Sequence, residues 1–145
     1  AGVALIHYKI LDQTGLMLIL GSFGASAVLI YGAIRSPLAQ PRNLIGGHVL
    51  SAFLGVTAFQ WCGDQTWLAA AIAVSTAIAL MHLTRTLHPP GGATALIAVI
   101  GGDSVHRLGY LYVLMPAASG ALVMLLVALA INNIPKNRRY PEFWF

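Results

Sequence analysis

Long apolar runs, separated only by short loops, constrain this chain more than any other feature. Five stand out, at roughly 14–34, 43–61, 66–83, 90–100 and 108–131. A helix that crosses a bilayer needs about 20 apolar residues, and four of the five runs reach or approach that length. The chain is 58% hydrophobic and only 8% charged, where a soluble domain averages about 25% charged. Eight Lys/Arg and four Asp/Glu cannot coat a globular surface of this size. The expected class is all-α: a polytopic helical membrane protein, one transmembrane domain over residues 1–145, with the lipid bilayer as its partner.

The fourth run, with 11 residues, is too short to cross as a full helix. It opens on His88-Pro89-Pro90-Gly91-Gly92, a polar, helix-breaking tract in an apolar chain. Such a tract is costly unless the backbone it frees has a use. A weaker echo lies 68 residues earlier, where Gly24-Ala-Ser-Ala-Val-Leu29 falls on Gly92-Ala-Thr-Ala-Leu-Ile97. The echo divides the chain into a repeat over about 1–62, a second over about 63–134 and a basic-aromatic tail at 135–145. Chance similarity among Ala and Gly is the competing explanation.

Charge placement can test the topology. If all five runs cross, Arg35, Arg42, Arg85, Lys136, Arg138 and Arg139 share one side, and Lys9 and Arg107 the other. If the short run is re-entrant, the split is four to four. The positive-inside rule prefers six to two and puts the C-terminus in the cytoplasm. With three crossings per repeat the halves are inverted, a recurrent transporter plan with broken helices near the midplane. Two short helices, starting at Gly24 and Pro90, would then point their positive ends at one small volume.

That volume reads as an anion site. Pro90 suits the first helical position. Gly91 and Gly92 admit close approach of a ligand to the backbone, and Gly24 and Ala25 offer the same in the echo. Thr94 and Ser26 add hydroxyls. The competing reading is a sharp turn with small residues for helix packing. His48 lies inside an apolar run after Gly46-Gly47, where an ionisable group faces the protein interior or a water path. Arg42 and Arg85 would draw anions to a vestibule or orient the chain. His82, Arg85 and His88 share a face if their helix continues, and Asn43 reads as an N-cap.

Other classes lose ground. The net charge of +4 is scattered between apolar runs, not gathered as for nucleic acid. No nucleophile, paired acid or phosphate-loop pattern marks an enzyme or a cofactor site. A zinc site from His82, His88 and His106 lacks a carboxylate or thiolate at ligand spacing, and Cys62 is the lone cysteine. Tyr140, Phe143, Trp144 and Phe145 read as an interfacial anchor. Gly46-Gly47 and Ser119-Gly120 are candidate contacts for pairing with a second copy.

At Leu87-His-Pro-Pro-Gly-Gly-Ala-Thr-Ala95 the chain resembles the HPP family of integral membrane proteins. Phe23-Gly-Ala-Ser-Ala27, Pro37-Leu-Ala-Gln-Pro-Arg-Asn-Leu-Ile-Gly-Gly-His48 and Arg139-Tyr-Pro141 reinforce the likeness. The resemblance implies a small protein of bacterial or organelle membranes, commonly described as four-spanning. Plant chloroplast and cyanobacterial relatives are associated with nitrite transport. Some bacterial relatives carry regulatory CBS modules beyond this region. The resulting expectation is a transporter or channel for a small inorganic anion, nitrite favoured, in a bacterial inner membrane. It would bind at Gly24, Ala25, Ser26, His48, His88, Pro89, Pro90, Gly91, Gly92 and Thr94. The alternative is an anion-sensing or scaffold membrane protein that transports nothing.

Overall fold

The computed structural model describes residues 21–63 and 65–144. Lys9, Asp12 and Asp64 lie outside them, as does the beginning of the first apolar run. Among the described residues the chain is helical, without strands. The helices are α1 (Gly21–Gly32), α2 (Pro41–Cys62), α3 (Thr66–Leu83), α4 (Pro89–Ile100), the short α5 (Gly102–His106) and α6 (Val113–Asn132). Of these, α2, α3 and α6 are long and apolar enough to cross a bilayer.

Local chemistry sets the helix ends. Gln40 is extended, and Pro41 supplies the first position of α2. The helix stops at Gly63, whose φ of +53° needs no Cβ penalty. Asn43 is not its cap, because the helix starts two residues earlier. Instead, Asn43 Nδ2 donates to the Leu87 carbonyl at 2.8 Å and ties α2 to the strap before α4. At α6 the backbone leaves helical values at Met115 (φ −134°, ψ 113°), since the residue before a proline is pushed away from them.

The contacts give the direction of each pass. Leu87 sits beside Asn43, Gly91 beside Gly47, and Ala95 beside Gly55, so α4 runs parallel to α2. The 12 residues of α4 cover about 18 Å, little more than half a bilayer core. The segment through α5 continues to the far end of α2. His106 stacks on Phe59 at 3.7 Å, and Tyr110 meets Thr57 at 3.1 Å, both near the far end of α2. α6 then returns: Asn132 donates to the Ile30 carbonyl, and Tyr140 to that of Ala39. The chain from α4 through α5 therefore runs from one end of α2 to the other rather than turning back. α1 runs opposite to α4, and α2 opposite to α6.

The charges sort accordingly. Arg35 pairs with Glu142 at 3.7 Å and shares a cleft with Arg138. Arg42 and Arg85 line a neighbouring cleft, and Lys136 and Arg139 lie on the same tail. Arg107 lies at the opposite end with Asp103. Gln40 fastens the charged end together. Its amide donates to the carbonyls of Ile34 and Ser36 and accepts from the Glu142 N–H. Tyr140 is buried there rather than serving as an exposed anchor, while Phe143 and Trp144 stay exposed. Burial, with Tyr31 nearby, pushes its hydroxyl up to about 12, so it remains a donor at neutral pH.

Two apolar clusters hold the bundle. The larger joins α1, α2, α4 and α6 around Phe23, Ile30, Leu44, Val56 and Tyr112. The second lies under α3, where Ala69, Ala73, Ala77 and Met81 recur every fourth residue against Ala58, Ala95 and Val99. That narrow stripe is the buried part of α3. Ile72, Ile78 and Leu83 face outward, as a lipid-facing helix requires.

Candidate functional site

Glycines make the site possible. A Cβ on Gly47 would lie 2.5 Å from His88 Cβ, and one on Gly91 would lie 2.8 Å from the Gly47 carbonyl and from Ser51 Oγ. A Cβ on Gly46 would lie 2.6 Å from Thr86 Cγ2. These absences let the head of α4 close onto α2, so that the His48 and His88 rings stand 5.1 Å apart. On α1, Ser22 and Ser26 are one turn apart on the face that meets them.

Between these helices lies a cluster of buried polar side chains: Ser22, Ser26, His48, His88 and Thr94. The Ser26 hydroxyl bridges His48 Nε2 and His88 Nε2, at 2.8 Å to each. His48 Nδ1 meets Thr94 Oγ1 at 2.7 Å, and Thr94 meets Ser22 at the same distance. His88 Nδ1 meets the Leu38 carbonyl at 2.8 Å. That carbonyl is presented by the tight Pro37–Ala39 turn, itself held by Ser36 Oγ accepting from the Leu38 N–H. Tyr112 donates to the Thr94 carbonyl at 3.0 Å and braces α4 from behind.

Above the cluster, at the charged end, Pro37, Arg42, Asn43, His82, Arg85 and Phe143 border a cleft of about 420 Å³. Arg42 is fixed there by donating to the Thr84 carbonyl at 2.7 Å. Leu87 and Asn43 form part of the lining, and His88 follows Leu87 into the core.

The structure thus brings Ser26, His48, His88 and Thr94 into one cluster and puts Arg42 and Arg85 in one vestibule. It parts the other expected residues. Gly24 and Ala25 lie on the exposed side of α1, away from the cluster, and the chain is already helical from Gly21. No helix starts at Gly24. α1 and α4 overlap side by side, Ser22 on Thr94 and Ser26 on His88, instead of meeting end to end. Gly91 is spent on packing, and its N–H donates to the His88 carbonyl at 2.8 Å. Pro89 is exposed, and Pro90 is buried with its carbonyl 3.1 Å from Ser22 Oγ. Gly92, unlike Gly91, keeps open space where a side chain would stand. His82, Arg85 and His88 do not share a face, because α3 ends at Leu83 and Arg85 turns at φ 56°.

Three members of the site escaped the sequence reading: Ser22, Tyr112 and the Leu38 carbonyl. Ser22 had a usable signal, its four-residue spacing from Ser26. The candidate self-association faces are already occupied. Gly46 and Gly47 face Thr86 and His88, and Gly120 packs on the Phe23 ring. Among the described residues no three His, Cys, Asp or Glu side chains gather as metal ligands. His106 is at the far end of α2 from His88.

The family model described as "HPP, transmembrane region" matches residues 1–141. Two curated Dictyostelium discoideum proteins, each described only as a transmembrane protein, are similar to this chain. They are 51% and 49% identical over 146 aligned positions. Each match covers 99% of this chain but only 47% and 51% of the relative. The chain therefore spans about half the length of these relatives. They come from a eukaryote, so the expected bacterial inner membrane finds no support in them. No solved structure matches.

Proposed function

The chain belongs to the HPP transmembrane family, and we propose that it moves a small inorganic anion, nitrite favoured, across its membrane, without catalysing a reaction. The observation that carries this reading is the placement of the Arg42/Arg85 cleft over the head of α4. Cations there raise the local concentration of anions. Below them lies the positive end of α4, backed by the neutral Thr94, Ser26 and imidazole groups and without a fixed buried charge. Such a site holds an anion weakly enough to release it. Gly92, with open space beside it, is the backbone position that a ligand can approach.

By the positive-inside rule the charged end is cytoplasmic. A cysteine placed at Asn137 in a Cys62→Ala background tests that. Labelling by a membrane-impermeant maleimide only after the cytoplasmic face is opened fits the proposal, and labelling of intact cells reverses the orientation.

The functional test is nitrite uptake into proteoliposomes, with nitrate, formate and chloride as competitors. Saturable uptake that is lost in folded Gly92→Leu supports the reading. Unchanged uptake in that variant moves the path elsewhere. A second reading, an anion sensor or scaffold, is favoured by the closure of the polar cluster, whose five side chains are at most 2% exposed. Absence of flux for every anion from folded protein would select it.

A further inference from the structure

The partners of the buried cluster determine which atom donates at each step. The Leu38 carbonyl can only accept, so His88 Nδ1, 2.8 Å away, carries a proton. Among the described residues no carboxylate partners either ring, and a buried imidazole without one stays neutral. His88 Nε2 is then a bare acceptor, and Ser26 donates to it. With that hydrogen committed, Ser26 accepts from His48 Nε2. His48 Nδ1 is therefore bare and takes the hydrogen of Thr94, whose oxygen accepts from Ser22. The Pro90 carbonyl competes for both hydroxyls only at 3.1 and 3.3 Å, longer than the bonds along the chain. Five side chains from three segments of the fold thus form one single-file path with one direction of donation.

We propose that Ser22–Thr94–His48–Ser26–His88 is a proton relay running through the membrane core toward the arginine-rich end. A hydronium at the Ser22 end adds a proton to the Ser22 oxygen, and Ser22 passes its own to Thr94. Thr94 passes its proton to His48 Nδ1, and His48 releases the Nε2 proton to Ser26. Ser26 protonates His88 Nε2, and His88 releases its Nδ1 proton to water. One proton enters, one leaves, and no side chain changes net charge. The exit is placed for release: Leu38 is half-buried, and its neighbour Pro37 lines the Arg42/Arg85 cleft.

The surroundings suit a relay. α1 faces it with Phe23, whose ring is 5.0 Å from His48, and the residue ahead of α6 faces it with Tyr112, whose hydroxyl is spent on the Thr94 carbonyl. α3 faces it with Met81, whose sulfur accepts from Ser51. None of these groups is charged at neutral pH to trap a proton. The relay rests on the membrane-spanning reading and would supply the coupling ion for the transport proposed above, but it needs no anion.

Two measurements test it. Solid-state NMR of ¹⁵N-histidine-labelled protein in lipid bilayers should find His48 as the Nε2–H tautomer and His88 as the Nδ1–H tautomer at neutral pH. The opposite tautomer on either ring overturns the proposal, whatever any variant does. Proteoliposomes containing a pH dye, driven by a potassium diffusion potential, should pass protons faster than protein-free liposomes. Thr94→Val, which keeps the shape but lacks the O–H, should fall to the protein-free leak, and Thr94→Ser should restore the flux. Wild-type flux no greater than the leak, or undiminished flux in folded Thr94→Val, overturns it. Nitrite uptake without proton movement overturns the relay and leaves anion transport standing. Proton movement in protein that carries no nitrite supports the relay and removes the anion.

Discussion

α2 meets its two neighbours by the same geometric device and to opposite chemical ends. Toward α3 the close approach is made by alanines, and the seam holds Ala58, Ala69, Ala73 and Ala77 with Met81 closing one end. Toward α4 it is made by glycines, and the seam holds His48, His88, Thr94 and the serines of α1. Small residues drive helix association in lipid on both sides. The difference is what the last methyl excludes. An alanine stripe keeps backbones apart and makes no polar demands. A glycine stripe brings carbonyls and imidazoles into reach, where each polar atom must find a partner or cost free energy.

The comparison breaks most visibly at Gly55. A Cβ there would lie 2.5 Å from the Ala95 carbonyl and 2.9 Å from Ala95 Cα, both backbone atoms that cannot move aside alone. Gly55→Ala should cost about 1–3 kcal/mol or more, as overpacking does, and lower the thermal midpoint in detergent. If it unfolds no earlier than wild type, the glycine seam is looser than described.

Thr94→Val comes next. It leaves His48 Nδ1 without its donor in a fully buried site, at a cost of about 1–3 kcal/mol, while Thr94→Ser should stay close to wild type. The matching change on the alanine side is Ala73→Gly. There no polar partner is orphaned, and the loss should be about 1.3–1.8 kcal/mol, from helix propensity and one buried methyl. A loss as large for Thr94→Ser as for Thr94→Val would mean that the polar seam is packed, not bonded.

Much of this was legible beforehand. Each of the five runs met a helix because bilayer length and apolar composition leave no other solution. Six of the seven described Lys/Arg lie at one end, where the segments carrying Arg35 and Arg85 and the tail converge, and Arg107 lies at the other. His48, His88, Ser26 and Thr94 could be named since polar atoms in an apolar run have few places to go. What stayed hidden depended on the facing element. Gly24 and Gly92 look alike in the repeat, yet one faces outward, and only the rotation of α1 decides it. The Leu38 carbonyl and the partner of Tyr112 are backbone acceptors, which every residue possesses and no sequence marks.

The sharpest form of the comparison uses two adjacent residues. Gly91 and Gly92 are identical in type and one step apart on α4. A methyl on Gly91 would meet the Gly47 carbonyl at 2.8 Å, whereas one on Gly92 would meet nothing within 4 Å. Gly92→Ala should therefore be neutral or stabilising by about 0.5–1 kcal/mol, the usual gain of Ala over Gly in a helix, while Gly91→Ala should destabilise. Thermal unfolding of both variants, measured side by side, checks the difference. A stable Gly92→Ala that nevertheless slows nitrite uptake would separate the two uses of the pair, since its only change is a methyl in the open space beside the head of α4. If both variants unfold alike, packing governs both positions and the ligand-facing side of Gly92 is lost.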